Sequence, residues 1–158
     1  MNAGPAVLHE YQTMPLSLYT ATIPSYLQIL RAVSGLLDKA GTFCAERGIA
    51  AADLIEARLA EDMLPFAYQV KSTVVHSQGA VEAVHRGVFS PDTIDALIGR
   101  DMRFEFGERR IEYTAEEFLL SFSQPNFYFH AATAYDILRW KGLPIGKRDF
   151  IGRTRSRR

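Results

Sequence analysis

The side chain best suited to chemistry in this chain is His130, which lies within the segment Pro125–Gly152. Apolar residues recur through this segment at three- and four-residue spacing, which predicts a helix with one buried face, and His130 lies on or beside that face. An imidazole in such a place can accept a proton or hold a metal ion. His9 and His85 are expected in an N-terminal extension and at a helix end, where histidines are ordinarily solvated. The sequence contains no G-x-S-x-G, P-loop, Rossmann glycine, H-E-x-x-H or paired-cysteine motif.

Two long helices are predicted ahead of this segment, from prolines that suit a first turn and glycines that end a helix. The first runs from about Pro24 to residue 46 or 47, before Gly48, and the second from Pro65 to residue 85 or 86, before Gly87. The apolar side predicted to be buried on the first helix comprises Ile23, Leu27, Leu30, Val33, Leu37 and Ala40. The corresponding side of the second comprises Leu64, Ala67, Val70, Val74, Ala80, Val81 and Val84.

The pattern changes between the second helix and the last one. Pro91 can open a helix only as far as about Gly99, so this third helix is shorter than its neighbours. The runs MRFEF and RRIEY alternate in hydrophobicity around Gly107-Glu108, which predicts a β-hairpin. Thr114–Glu117 matches a capping box that starts the last helix, and Pro125 should kink that helix. The predicted fold is therefore all-α, with a truncated third helix and a small β-hairpin before the last helix.

Four stretches of the chain resemble an uncharacterised family of unknown function within the DinB-like superfamily of four-helix bundles. They are SLYTATIPSYLQIL at 17–30, LLDKA at 36–40, EARLAEDMLPFAYQV at 56–70, and PNFYFHAATAYDILRWKGLPIGKRDFIG at 125–152. The resemblance covers most of residues 16–152 and implies one helical-bundle domain there. Residues 1–15 are expected to form a loosely ordered extension and residues 153–158 a basic tail. The family has no settled activity.

The resemblance also implies a set of candidate site residues. Metal-binding members of the superfamily carry a last-helix run H-x-x-x-H-R-G-Q followed by an LR pair and a glycine, and a further histidine on the second helix. Alignment on the LR pair and glycine at 138–142 places His130 at the second histidine, Asn126 at the first, and Gln69 on the second helix. A register shifted by two turns places His76 there instead of Gln69. Amide oxygens are poorer ligands than imidazole for zinc or nickel, so a degenerate metal site is implied. No cofactor is expected, and a divalent metal is the alternative.

Two functions from different classes follow from this set of residues. In the first, the protein is a non-catalytic bundle that binds a small molecule or a partner chain. Gln69, Asn126 and His130 then form either a buried polar network that fixes the register of two helices or part of a small-molecule pocket, which Tyr68, Tyr128 and Tyr135 are candidates to line. In the second, the protein is an enzyme of the superfamily's thiol-transfer type, with or without a metal, and His130 is a ligand or an acid/base.

Composition favours a single domain and argues against several partners. At 158 residues and 47% hydrophobic, the chain can bury one proper core. Lysine plus arginine equals aspartate plus glutamate at 18 each, so no nucleic-acid partner is predicted. The single cysteine, Cys44, favours a reducing compartment, and the absence of a long apolar run or signal peptide favours the cytoplasm over a membrane.

The short third helix predicts an exposed apolar groove along its neighbours. A two-fold homodimer is the commonest way to cover such a surface, and we expect one that either pairs the open faces or exchanges an element such as the hairpin. The alternative is that the extension folds back over the groove within one chain, through Val7, Leu8, Tyr11 and Met14.

Overall fold

The computed structural model describes residues 16–85 and 97–156, and its first long element is α1 (Leu18–Arg47). The Ser17 hydroxyl accepts a hydrogen bond from the Thr20 N–H at 3.0 Å, which caps the helix, and Gly48 ends it at φ 64°. Pro24 was predicted to open this helix and instead lies inside it, because the serine cap upstream already provides the start.

The buried side of α1 matches the predicted stripe at Val33 and Ala40 and departs from it at Leu27 and Leu37. Leu27 and Leu37 are 44% and 40% exposed, whereas Tyr26 and Leu36 are each 2% exposed. Apolar residues occur in adjacent pairs along this helix, so spacing alone selects neither member of a pair. Tyr26 faces the core because its ring packs edge-on against Phe127, with ring centroids 4.7 Å apart.

The second long element follows a short helix, α2 (Ala51–Ile55). It starts after Pro65, as predicted, and consists of α3 (Phe66–Val74), a first π segment (Val75–Gly79) and α4 (Ala80–His85).

Its buried side matches the predicted apolar one in α4, where Ala80 is 3% exposed, but differs from it along α3. Leu64 and Val74 are 47% and 44% exposed, while the buried positions of α3 and the π segment are mainly polar: Gln69, Ser72, Thr73 and Ser77. The Thr73 and Ser77 hydroxyls donate to carbonyls four residues back, at 2.9 and 2.8 Å. Because these short side chains bond within their own helix, they can be buried without hydrogen-bond partners on a neighbouring helix.

The predicted hairpin is confirmed. β1 (Asp101–Phe106) pairs antiparallel with β2 (Arg109–Thr114), and Phe106 lies opposite Arg109 across the two-residue turn. Gly107 has φ 59°, a conformation that favours glycine at the first turn position.

The last long element begins with the predicted capping box, in which the Thr114 N–H donates to the Glu117 carboxylate at 2.9 Å. It comprises α5 (Ala115–Glu117), a second π segment (Phe118–Ser123) and α6 (Gln124–Trp140). The π segment ends at Ser123, two residues before Pro125. A π turn bonds five residues back instead of four, so the hydrogen-bond ladder is already rearranged where proline lacks its donor.

After Gly142 (φ 90°), the chain turns through Pro144 into α7 (Lys147–Ile151), which packs against α1. The Gln28 side-chain amide donates to the Ile151 carbonyl at 3.0 Å. The core lies between α1, α3 and α6 and contains Phe127, Ala131, Ile137 and Leu138, each at most 1% exposed.

The mostly helical fold with one small hairpin before the last helix is confirmed. Of the predicted short third helix, residues 91–96 lie outside the described residues, and the chain at 97–99 forms a turn. Within 16–85 and 97–156, no helix combines the length and apolar character that a bilayer span requires.

Candidate functional site

The central contact of the candidate site joins α3 to α6. The His130 Nδ1 lies 2.7 Å from the Gln69 Oε1, and Gln69 is only 2% exposed. The other end of the same amide is also used, since its Nε2 donates to the Leu64 carbonyl at 2.8 Å. The Leu64 carbonyl can only accept, so this bond fixes which end of the Gln69 amide is oxygen.

This orientation determines the protonation of the imidazole. Because Gln69 Oε1 can only accept, a neutral His130 must carry its proton on Nδ1, and its Nε2 then bears a free lone pair. Nε2 has no hydrogen-bond partner among residues 16–85 and 97–156, and the side chain is half-buried. The pair therefore presents one fixed acceptor or base at a partly open position.

A second histidine, His76, lies against the first. The two imidazole rings are stacked, with centroids 5.6 Å apart and planes 14° from parallel. His76 belongs to the first π segment, and its carbonyl accepts a hydrogen bond at 2.9 Å from the hydroxyl of buried Ser123 in the second π segment. Sequence reasoning missed Ser123 and both π segments, because a π turn has no periodic signal of its own.

Burial favours the neutral form of both histidines. Burial lowers the pKa of His130 below its ordinary value. Burial also lowers the pKa of His76, and the nearby charge of a protonated His130 lowers it further.

Aromatic rings surround His130 on its outer side. The rings of Tyr68 and Phe129 both meet the imidazole edge-on, with centroid distances of 6.0 and 5.2 Å. Tyr68 is 37% exposed and Phe129 is 56% exposed. Tyr135 was predicted to belong with them, but its ring packs instead against Phe150 of α7 at 5.8 Å. Tyr135 is five residues from His130, so on a helix it faces a different side.

Asn126 is not part of the contact between Gln69 and His130. Its amide nitrogen donates to the Phe122 carbonyl at 2.8 Å, one turn back in the same helix. The physical reason is that Pro125 has no backbone N–H, which interrupts the hydrogen-bond ladder of the helix. The side chain of the next residue, Asn126, can then bond to a nearby backbone carbonyl. The predicted trio is therefore a pair, joined by His76 through ring stacking.

Comparison with known proteins identifies the family. The sequence matches the family described as a domain of unknown function (DUF1993), over residues 18–89 and 86–151. The chain belongs to this family. Its fold is similar to the crystal structure of a DinB family member protein from Shewanella denitrificans, with a TM-score of 0.71 and 22% sequence identity. The match covers 89% of this chain and 95% of that one, which shows a DinB-like fold. No curated protein matches the sequence.

The residues at this site do not fit the metal centre that the superfamily resemblance implied. Both ends of the Gln69 amide are engaged, its oxygen with His130 Nδ1 and its nitrogen with the Leu64 carbonyl, and the Asn126 amide nitrogen donates to the Phe122 carbonyl. Across the described parts of the chain, no three His, Cys, Asp or Glu side chains are grouped closely enough to hold a metal ion. Zinc sites ordinarily use three or four such donors.

Proposed function

We propose that this DUF1993 protein binds a small organic molecule at His130 without a metal. The observation that carries the proposal is the 2.7 Å contact between Gln69 Oε1 and His130 Nδ1, which leaves Nε2 as a fixed acceptor. A ligand with one N–H or O–H donor can bond to Nε2, and the exposed rings of Tyr68 and Phe129 offer apolar surface to the rest of it. Binding sites commonly combine apolar walls with a few placed polar groups.

Several finer features belong to the same proposal. The ancestral metal position is degenerate, since amides occupy two of the positions that carry histidines in metal-binding members of the superfamily. We place the protein in the cytoplasm, because its single cysteine, Cys44, is buried and unpaired.

A second candidate function is general-base catalysis by His130, in an enzyme of the thiol-transfer type. It is favoured by the fixed tautomer and the lowered pKa of His130, because a neutral imidazole with a free Nε2 can take a proton from a thiol or hydroxyl. The partner on Nδ1 is a neutral amide and not a carboxylate, so it stabilises the resulting imidazolium less than an ion pair would.

A matched pair of probes tests the binding proposal. Phenol carries an O–H donor on a flat apolar ring, and anisole has the same ring without the donor. In protein labelled with ¹⁵N-histidine, millimolar phenol should shift the Nε2 resonance of His130, and anisole should not. Equal shifts from both probes, or none from phenol, would reject the proposed acceptor. The same spectrum reports the tautomer, and a proton on Nε2 in the free protein would also contradict the proposal.

Elemental analysis addresses the metal. Protein purified without a histidine tag should contain far less than one equivalent of zinc, nickel or iron per chain. A stoichiometric metal that is lost in His130→Ala but retained in the matched variant His85→Ala would overturn the metal-free site.

A further inference from the structure

A second cavity lies on α1, away from the Gln69–His130 pair, at the place where the chain leaves α7. Its volume is about 630 Å³, within the usual range of small-molecule sites. One wall is a face of α1, and the other is the segment 152–156. Residues 153–156 of the predicted basic tail therefore form part of a cavity on the folded domain.

Hydrogen bonds on either side of Gly152 hold this segment beside α1. The Gln28 side-chain amide donates to the Ile151 carbonyl at 3.0 Å, and the Arg155 guanidinium donates to the Ser25 hydroxyl at 3.5 Å. Gly152 itself has φ 65°, which turns the chain at the end of α7. The two walls of the cavity are thus joined at two points.

Positive charge dominates the lining. Arg31 comes from α1, and Arg153 and Arg155 come from the segment, whereas no aspartate or glutamate lines the cavity in the described parts of the chain. The guanidinium groups of Arg31 and Arg153 have no ion-pair or hydrogen-bond partner among those same residues. Asp149, the carboxylate of α7, is paired with Lys39. Arginine stays protonated in proteins, so no lining carboxylate offsets the charge of these three side chains.

These charges favour a ligand with more than one negative charge. A carboxylate carries a single charge and suits one bidentate guanidinium. A phosphomonoester carries about −1.5 to −2 charges near pH 7 and has three terminal oxygens, so it can accept from more than one guanidinium at once. Pro24 and Ala32 offer apolar surface, and Thr154 and Ser156 offer hydroxyls, to the organic part of such a ligand.

We propose that this cavity binds a small phosphomonoester, with its phosphoryl group held by Arg31, Arg153 and Arg155. A concave site of this volume suits a small molecule, whereas a nucleic acid or a membrane is ordinarily met by an extended basic surface. Basic and acidic residues are equal in number at 18 each, so composition does not indicate such a surface. The cavity shares no lining residue with the Gln69–His130 pair, so the inference is independent of ligand binding there.

Phenyl phosphate and phenyl sulfate are matched probes of this site. They share the ring and the tetrahedral oxyanion, but at pH 7.5 the phosphate ester carries about two charges and the sulfate ester about one. Titrations at fixed ionic strength follow the amide resonances of Ala32, Gly152 and Thr154. Phenyl phosphate at millimolar concentration should shift these resonances, and phenyl sulfate should bind more weakly. Equal affinity for the two probes, or no shift with phenyl phosphate, would overturn the inference.

Two matched variants on α1 separate the cavity from net charge. Arg31→Gln removes a guanidinium from the lining and should raise the Kd for phenyl phosphate roughly tenfold or more, the factor that a hydrogen bond to a charged group supplies. Arg47→Gln makes the same change roughly 24 Å further along the same helix and should leave the Kd as in wild type. Both side chains are exposed, so both variants should fold. Equal losses in the two variants would show attraction to net charge alone and would reject the site.

Vesicles containing phosphatidic acid distinguish a lipid headgroup from a soluble ligand, because both carry the phosphoryl group. Wild-type protein should bind phenyl phosphate in solution and should not sediment with the vesicles. Sedimentation that is lost in Arg31→Gln would assign the cavity to a membrane lipid and would overturn the soluble ligand.

Discussion

The bond between Gln69 and His130 is the residue-scale feature on which stability and chemistry both depend. Gln69 is almost fully buried, and its amide oxygen has His130 as its hydrogen-bond partner. A buried polar atom left unpaired costs more than the bond itself contributes, because the atom still loses its hydration. Removing the imidazole should therefore destabilise the fold as well as abolish binding.

His130→Ala is expected to lower the free energy of unfolding by about 1 to 3 kcal/mol, the usual cost of an orphaned buried partner. Urea denaturation at pH 7.5 measures the change. His85→Ala, at the last residue of α4, is the matched control and should cost less. An unchanged midpoint in His130→Ala would mean that the contact contributes nothing to the folded state.

The pH dependence of stability follows from the two lowered histidine pKa values. The folded state disfavours protonation of His76 and His130, whereas the unfolded chain takes up protons near the ordinary pKa of about 6.5. Their contribution is therefore fully present above that pH and is lost as the pH falls through the folded-state pKa values.

The urea midpoint should accordingly fall more steeply in wild type between pH 7 and pH 5 than in a variant lacking both imidazoles. The test is a series of denaturation curves in that range for wild type and the double variant His76→Phe/His130→Gln. Parallel pH profiles in the two proteins would show that these histidines titrate alike in the folded and unfolded states.

At the scale of elements, sequence predicted the helices and the hairpin well, and the faces of the helices less well. The ends of the helices were predicted from residues that act through local backbone geometry, which a single sequence contains. These residues are Pro65, Gly48, Gly142 and the capping box at 114–117. Burial on α3 depends on hydroxyls that bond to their own helix, so hydrophobic spacing selected exposed Leu64 and Val74 instead.

The candidate site shows the same division between local and tertiary information. Gln69 and His130 were predicted together from the superfamily's alignment, and the structure brings them within hydrogen-bond distance. The stacking of His76 on His130 depends on the packing of α3 and its π segment against α6, which no local pattern encodes.

The junction between α7 and α1 depends on one glycine. Gly152 has φ 65° and ψ −154°, a conformation that only glycine adopts readily, and a Cβ placed there would lie 3.2 Å from the Ala32 Cβ. Gly48 also has positive φ but has open space around it.

Gly152→Ala should therefore destabilise the protein more than Gly48→Ala, for which about 1 to 2 kcal/mol of left-handed backbone cost is expected. Combining Gly152→Ala with Ala32→Gly should recover the steric part of the loss, and a double-mutant cycle of unfolding free energies isolates it. Strict additivity in the cycle would show that the loop moves away from α1 without cost.

At the scale of the whole molecule, several exposed apolar side chains lie on or next to α3 and α6. Leu64, Tyr68 and Phe129 are 37% to 56% exposed and contact Gln69 or His130. Another exposed phenylalanine, Phe106, lies at the hairpin turn and is 75% exposed. Large exposed apolar patches commonly mark interfaces, and two-fold symmetry is the commonest arrangement.

We expect a homodimer in solution, with a mass of about 35 kDa by light scattering, twice the chain mass of 17.7 kDa. If the α3–α6 face forms the interface, Phe129→Glu should give a monomer and Phe106→Glu should not, because only the first places a charge in it. If the hairpin is exchanged between copies, Phe106→Glu should give a monomer and Phe129→Glu should not.

A wild-type mass near 17.7 kDa at micromolar concentration would reject the dimer. Loss of solubility on deleting residues 1–14, which lie outside the described residues, would then favour a cover supplied by the chain itself.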